Sequence, residues 1–299
     1  MSGRGVEDAV GSASPLADIT ALRSRTPGRT FRILAGILAL CPVAAVTAYR
    51  VGHNVPGGLP GGVATLAADW SGLAVVGPAL AALLLASTAD AGAERVGLAF
   101  VGGFGVLALV TAAAAWQPAA IGVSVGFAVV AADRLAALGR KREWNGVRRA
   151  APVGLAAVGV ATSLAATAGV MPATLRPLGS GVALTAVGVV PLAVGWDRTS
   201  ALAGVAAGAT VLATAASAPY VAGAVLLVGG GVVGVPAGLV AFAAAGGTAG
   251  VVSALRDGRL AVALGAALFC AAGVPATVLR ATGVVVAAAL VAYDGGERA

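Results

Sequence analysis

The sequence predicts an all-α, polytopic membrane protein, a bundle of about ten transmembrane helices. Three observations carry this. The chain is 59% hydrophobic and only 10% charged, against roughly a quarter charged in an ordinary soluble domain. Its apolar runs approach the roughly 20 residues that a helix needs to cross about 30 Å of hydrocarbon. Five of those runs stop at an aspartate with an arginine close behind: Asp90/Arg95, Asp133/Arg134, Asp197/Arg198, Asp257/Arg259 and Asp294/Arg298.

Taken in order, residues 1–30 are polar and arginine-bearing and read as a disordered cytoplasmic tail, ahead of a transmembrane domain over 31–294. The first run, Phe31–Tyr49, follows Arg23, Arg25 and Arg29 and lacks a convincing small-residue cleavage site, so it reads as a retained helix entered from inside. A Gly- and Pro-rich outer stretch leads to Trp70–Ala89, then Val96–Trp116, then the short Pro118–Ala132. Residues 133–150 form the most basic segment, read as a cytoplasmic loop. Next come Ala151–Val170, Leu178–Trp196 and Ala201–Ala218. An overlong run over Pro219–Leu255 counts as the eighth crossing, and Leu260–Leu279 and Ala281–Tyr293 follow, with a short tail over 295–299. Ten crossings put both termini and all five Asp/Arg stops in the cytoplasm. Only Arg50, Arg176 and Arg280 of the 19 basic residues then fall outside. Tyr49, Trp70, Trp116, Trp196, Tyr220 and Tyr293 stand at helix ends, where amphipathic rings favour the membrane interface.

Two features break the plain pattern. Ala168–Arg176 and Ala272–Arg280 are similar in sequence, which fits either a hairpin duplication or shared turn chemistry. The run Pro219–Leu255 is too long for one straight crossing and holds Gly229, Gly230, Gly231, Gly234 and Pro236. Consecutive glycines weaken a helix and proline removes a donor. The run is therefore either a hairpin with its turn at the glycines or a broken or re-entrant segment, the kind of place where transporters hold solute.

Chemistry-bearing groups are sparse. No ionisable residue except Cys41 and Cys270 lies between the ends of an apolar run, which argues against a proton relay. The two cysteines read as small core residues. His53 stands alone, so no haem or His-rich metal site is expected, and no cofactor of any kind. Gly179-Ser180-Gly181 is not a full nucleophile elbow, and the chain reads as a non-enzyme. The +7 net charge is explained by helix flanks, not nucleic acid. Arg140, Lys141, Arg142, Arg148 and Arg149 are candidate contacts for lipid headgroups of the bilayer. Gly-x-x-x-Gly spacings at Gly122/Gly126, Gly204/Gly208, Gly230/Gly234, Gly234/Gly238 and Gly246/Gly250 fit tight helix packing. The expected setting is the plasma membrane, with a membrane-protein partner or a second copy left open. Two functions fit: a permease for a small neutral or weakly polar solute, or a non-catalytic scaffold or accessory subunit of a membrane complex.

Overall fold

The computed structural model describes residues 28–45, 76–110, 116–140, 144–215 and 235–293; the expected N-terminal tail before residue 28 and the C-terminal tail lie outside them. Among the described residues there is no strand. The helices are α1 (Gly28–Ala45), α2 (Val76–Thr88), α3 (Gly92–Val110), α4 (Trp116–Arg140), α5 (Trp144–Thr167), α6 (Arg176–Gly188), α7 (Val190–Val194), α8 (Arg198–Thr214), α9 (Ala237–Arg256), α10 (Leu260–Ala272) and α11 (Val278–Val291). Six spans are long and apolar enough to cross a membrane: α1, α3, α4 to Ala137, α5 from Val147, Ala173–Val194, and α9. α2, α10 and α11 are apolar but shorter.

Successive helices run antiparallel, and the closest approaches fall where side chains are smallest. A Cβ on Gly97 of α3 would lie 2.7 Å from the Gly126 carbonyl oxygen of α4, and one on Gly126 would lie 2.7 Å from the Gly97 oxygen. In α5 and α6, a Cβ on Gly159 would meet Ala183 at 2.7 Å, and one on Gly179 would meet Ser163 at 2.6 Å. Gly204 and Gly208 of α8 face Ala245 and Ala241 of α9 in the same way. Apolar side chains gain little by leaving lipid for protein, so close backbone approach with dense dispersion contact holds such a bundle together. At the centre stands α11, in which Val278, Ala281 and every residue from Thr282 to Val291 are buried.

Three expectations need correction. The segment 133–150 is mostly not a loop: α4 continues through Arg140 and α5 begins at Trp144, with only residues 141–143 outside the description. Charge there marks where the helix leaves hydrocarbon, not where it ends, because Ala, Leu and Arg all sustain a helix in water. For the same reason the fourth crossing is not short; its apolar window runs from Trp116 to Ala137. The sixth run is not one straight helix. A 3₁₀ turn at Ala173–Leu175 precedes it, and α6 gives way to α7 at Val189, two residues before Pro191. Proline has no N–H to donate and crowds the preceding turn, so the rod kinks there.

The two similar turns differ in backbone. Gly169 takes φ +75°, the left-handed form that closes α5, with Val170 and Met171 N–H donating to the Ala165 carbonyl. Gly273 is right-handed at φ −55°. Thr277 caps α11 by accepting from Arg280 N–H at 3.3 Å, whereas its counterpart Thr174 lies inside the 3₁₀ turn.

Candidate functional site

The antiparallel order gathers the four described Asp/Arg stops, at Asp90, Asp133, Asp197 and Asp257, at one end of the bundle, where Arg95, Arg259 and Asp197 cap helices. The last carbonyls of a helix lack intrahelical donors and carry partial negative charge, so arginine suits them. Arg95 donates to the Ala89 carbonyl just past the end of α2 at 2.8 Å. Arg259 donates to the Val194 carbonyl at the end of α7 at 2.6 Å, and its guanidinium also holds Asp257 at 2.5 Å. Asp197 does the converse for α8. Its carboxylate accepts from Ser200 N–H at 2.8 Å while Ser200 Oγ accepts from Asp197 N–H at 2.9 Å, a reciprocal capping box. These bonds to Ser200, with help from Arg256, hold the Asp197 carboxyl below its usual range.

Two clusters join helices that are distant in sequence. In the first, Arg134 near the end of α4 pairs with Glu94 in the first turn of α3 at 2.6 Å. Glu94 is 8% exposed, and Arg134 Nε is buried with no hydrogen-bond partner among the described residues. Beside them the Arg32 guanidinium of α1 stacks 3.3 Å over the ring of Tyr293, just past α11. Arg32, Thr88, Glu94, Arg134 and Tyr293 border a small, partly open cavity of about 20 Å³, room for roughly one water. In the second cluster, Arg256 Nε at the end of α9 lies 3.2 Å from Asp197 Oδ2. Val194, Gly195, Trp196, Asp197, Ser253, Arg256 and Asp257 line an open pocket of about 490 Å³. Arg29 reaches the nearby Gly258 carbonyl at 3.5 Å. Gly258 turns the chain from α9 to α10 at φ +71°, a conformation glycine adopts without Cβ strain.

The opposite end is tied in part by neutral bonds, beside the Arg176 Nε bond to Thr167 Oγ1 at 3.2 Å. Gln117 Nε2 donates to the Ala168 carbonyl at 3.1 Å, and buried Ser163 Oγ to the Pro275 carbonyl at 2.9 Å.

Of the residues singled out from sequence, Gly229, Gly230, Gly231 and Gly234 lie outside the described residues. Pro236 is described: it is the N-cap of α9, which runs unbroken for 20 residues after it. Lys141 and Arg142 also lie outside the description, and Arg140 is the last residue of α4. Arg148 is exposed and Arg149 half-buried near the start of α5. Of the stops, Asp197 reaches across helices to Arg256, the neighbour of Asp257. Sequence reasoning missed Glu94 altogether. Its signal was positional, since in an antiparallel pair the first turn of α3 must face the last turns of α4.

Residues 32–292 match the family described as an integral membrane family of unknown function (DUF8068). The chain belongs to this family. It is a multi-pass integral membrane protein with several membrane-spanning helices, set in a lipid bilayer. No curated protein and no solved structure matches it.

Proposed function

We propose that the protein is a non-catalytic scaffold or accessory subunit of the plasma membrane, crossing ten times with both termini in the cytoplasm. The observation that carries this is where the helix hydroxyls go. Ser124, Thr167, Thr185, Thr210, Thr214 and Thr282 each donate to the carbonyl four residues back in their own helix. A hydroxyl used this way has spent its one donor inside its own helix and can offer a solute only an acceptor. Where solute would have to slip between helices, Gly97 meets Gly126 and Gly159 meets Ala183 backbone to backbone. The large apolar side chains that remain exposed, such as Val205 at 66% and Leu202 at 62% on α8, suit lipid or a neighbouring membrane helix.

The test pairs two measurements on the full chain. A photo-crosslinker at Leu202 in native membranes is expected to give one discrete protein adduct. Single cysteines replacing Gly229, Gly230 or Gly231 are expected not to react with a water-soluble thiol reagent. Rapid reaction that a small solute blocks, together with solute uptake by proteoliposomes, would overturn the scaffold reading in favour of a permease whose path runs past Gly229–Pro236.

A further inference from the structure

The pocket at the Arg256 end holds polar groups that its own helices leave unused. Ser253 is 6% exposed and lines the pocket, yet its hydroxyl has no hydrogen-bond partner among the described residues, unlike the self-satisfied hydroxyls above. Arg256 follows it by three residues, on the same face of α9. Asp197 Oδ2 comes closest to Arg256 at Nε, 3.2 Å away, and the two terminal nitrogens of the half-exposed guanidinium have no hydrogen-bond partner among the described residues. That fork matches two oxygens of a phosphate. The depth also fits. α9 spans about 30 Å in its 20 residues, which puts Arg256 at the level of the headgroups. Trp196, 68% exposed, stands at the rim as interfacial tryptophans do.

The charges select further. The lining carries Asp197, Asp257 and Arg256, and Arg259 is held against Asp257 at 2.5 Å. Two carboxylates against two guanidiniums are neutral together, so a purely anionic ligand gains little from the surroundings. A ligand with its own phosphate and its own ammonium would place the first on Arg256 and Ser253 and the second towards the half-exposed Asp257. At about 490 Å³ the pocket has room for such a group with water. We propose that this pocket binds a phosphoethanolamine group, presented by a phospholipid, through Arg256, Ser253 and Asp257. The site is independent of the scaffold reading above.

The test is calorimetric titration of the purified full-length protein in detergent with short-chain phosphatidylethanolamine, phosphatidylglycerol and free phosphoethanolamine. Saturable binding of phosphatidylethanolamine is expected, about tenfold weaker in Arg256→Gln and a few-fold weaker in Ser253→Ala, which leaves no charge unpaired. Free phosphoethanolamine binding as tightly as the lipid would support the recognition chemistry and overturn the lipid source. Equal affinity for phosphatidylglycerol would overturn the role of Asp257. Unchanged binding in Ser253→Ala would overturn the site even if Arg256→Gln fails to fold.

Discussion

Glycine-to-alanine substitution should change sign with position along α3. At Gly97 a new Cβ would lie 2.7 Å from the Gly126 oxygen and 2.8 Å from Val130 Cγ2. Ordinary contact needs about 3.4 Å or more, so α3 and α4 must part by several tenths of an ångström. Overpacking of this kind costs about 1–3 kcal/mol, and the better helix propensity of alanine returns at most about 1 kcal/mol. Gly103 lies six residues on in the same helix and has nothing within 4 Å of its built Cβ. There only the propensity gain applies, up to about 1 kcal/mol in favour. The two variants should therefore differ by about 1–3 kcal/mol in opposite directions, read as thermal midpoints of the purified protein in one detergent. Gly126→Ala acts on the same crossing, so its cost should fall short of additive with Gly97→Ala once the helices have separated. Equal midpoints for Gly97→Ala and Gly103→Ala would refute the reading that backbone contact at Gly97 and Gly126 sets the packing of this pair.

Three further outcomes follow from the charged end and the kink. Arg134→Gln strands the nearly buried Glu94 carboxylate and should cost about 3–5 kcal/mol, with Glu94→Gln in the same chain restoring much of it; additive losses in a thermal double-mutant cycle would contradict their pairing. Asp197 has its carboxyl lowered in the folded protein, so its stabilising share is complete above the unfolded carboxylate range and fades as pH falls through the folded value. Asp197→Asn should remove that part of the acid sensitivity, and an unchanged midpoint-against-pH profile between the two proteins would count against the cap. Pro191→Ala should restore a backbone donor and straighten α6 into α7, seen as a changed spin-label distance between positions 178 and 196; no change would place the cause of the kink elsewhere.

Much of the fold was legible because lipid imposes a simple rule. A helix that meets hydrocarbon must stay apolar for about 20 residues, and six spans show themselves by length and composition, while α2, α10 and α11 fall short of that length. Charge told less about where helices end, since α4 carries Asp133 and Arg134 within a continuous helix that reaches Arg140. Pro191 announced its kink in the sequence and was passed over because the run around it is uniformly apolar. Of the Gly-x-x-x-Gly spacings, Gly122/Gly126, Gly204/Gly208 and Gly246/Gly250 do lie against neighbouring helices, while Gly238 faces open space. Spacing shows that a small stripe exists but not which helix it will meet. The decisive crossing, Gly97 on Gly126, joins glycines in different helices, and no local pattern could pair them. Glu94 was hidden for a related reason. Beside Arg95 it looked like one more helix-end charge, and only the antiparallel register sets it against Arg134.

In the proposed topology all the Asp/Arg ends share the cytoplasmic side of a ten-crossing bundle. Single cysteines at positions 92, 145 and 198, and at positions 58 and 171, in a background with Cys41 and Cys270 replaced, can be probed with an impermeant thiol reagent on intact and on opened cells. The first three are expected to label only after opening and the last two on intact cells. Labelling of positions 145 and 58 from the same side, or of positions 92 and 198 from opposite sides, would contradict it.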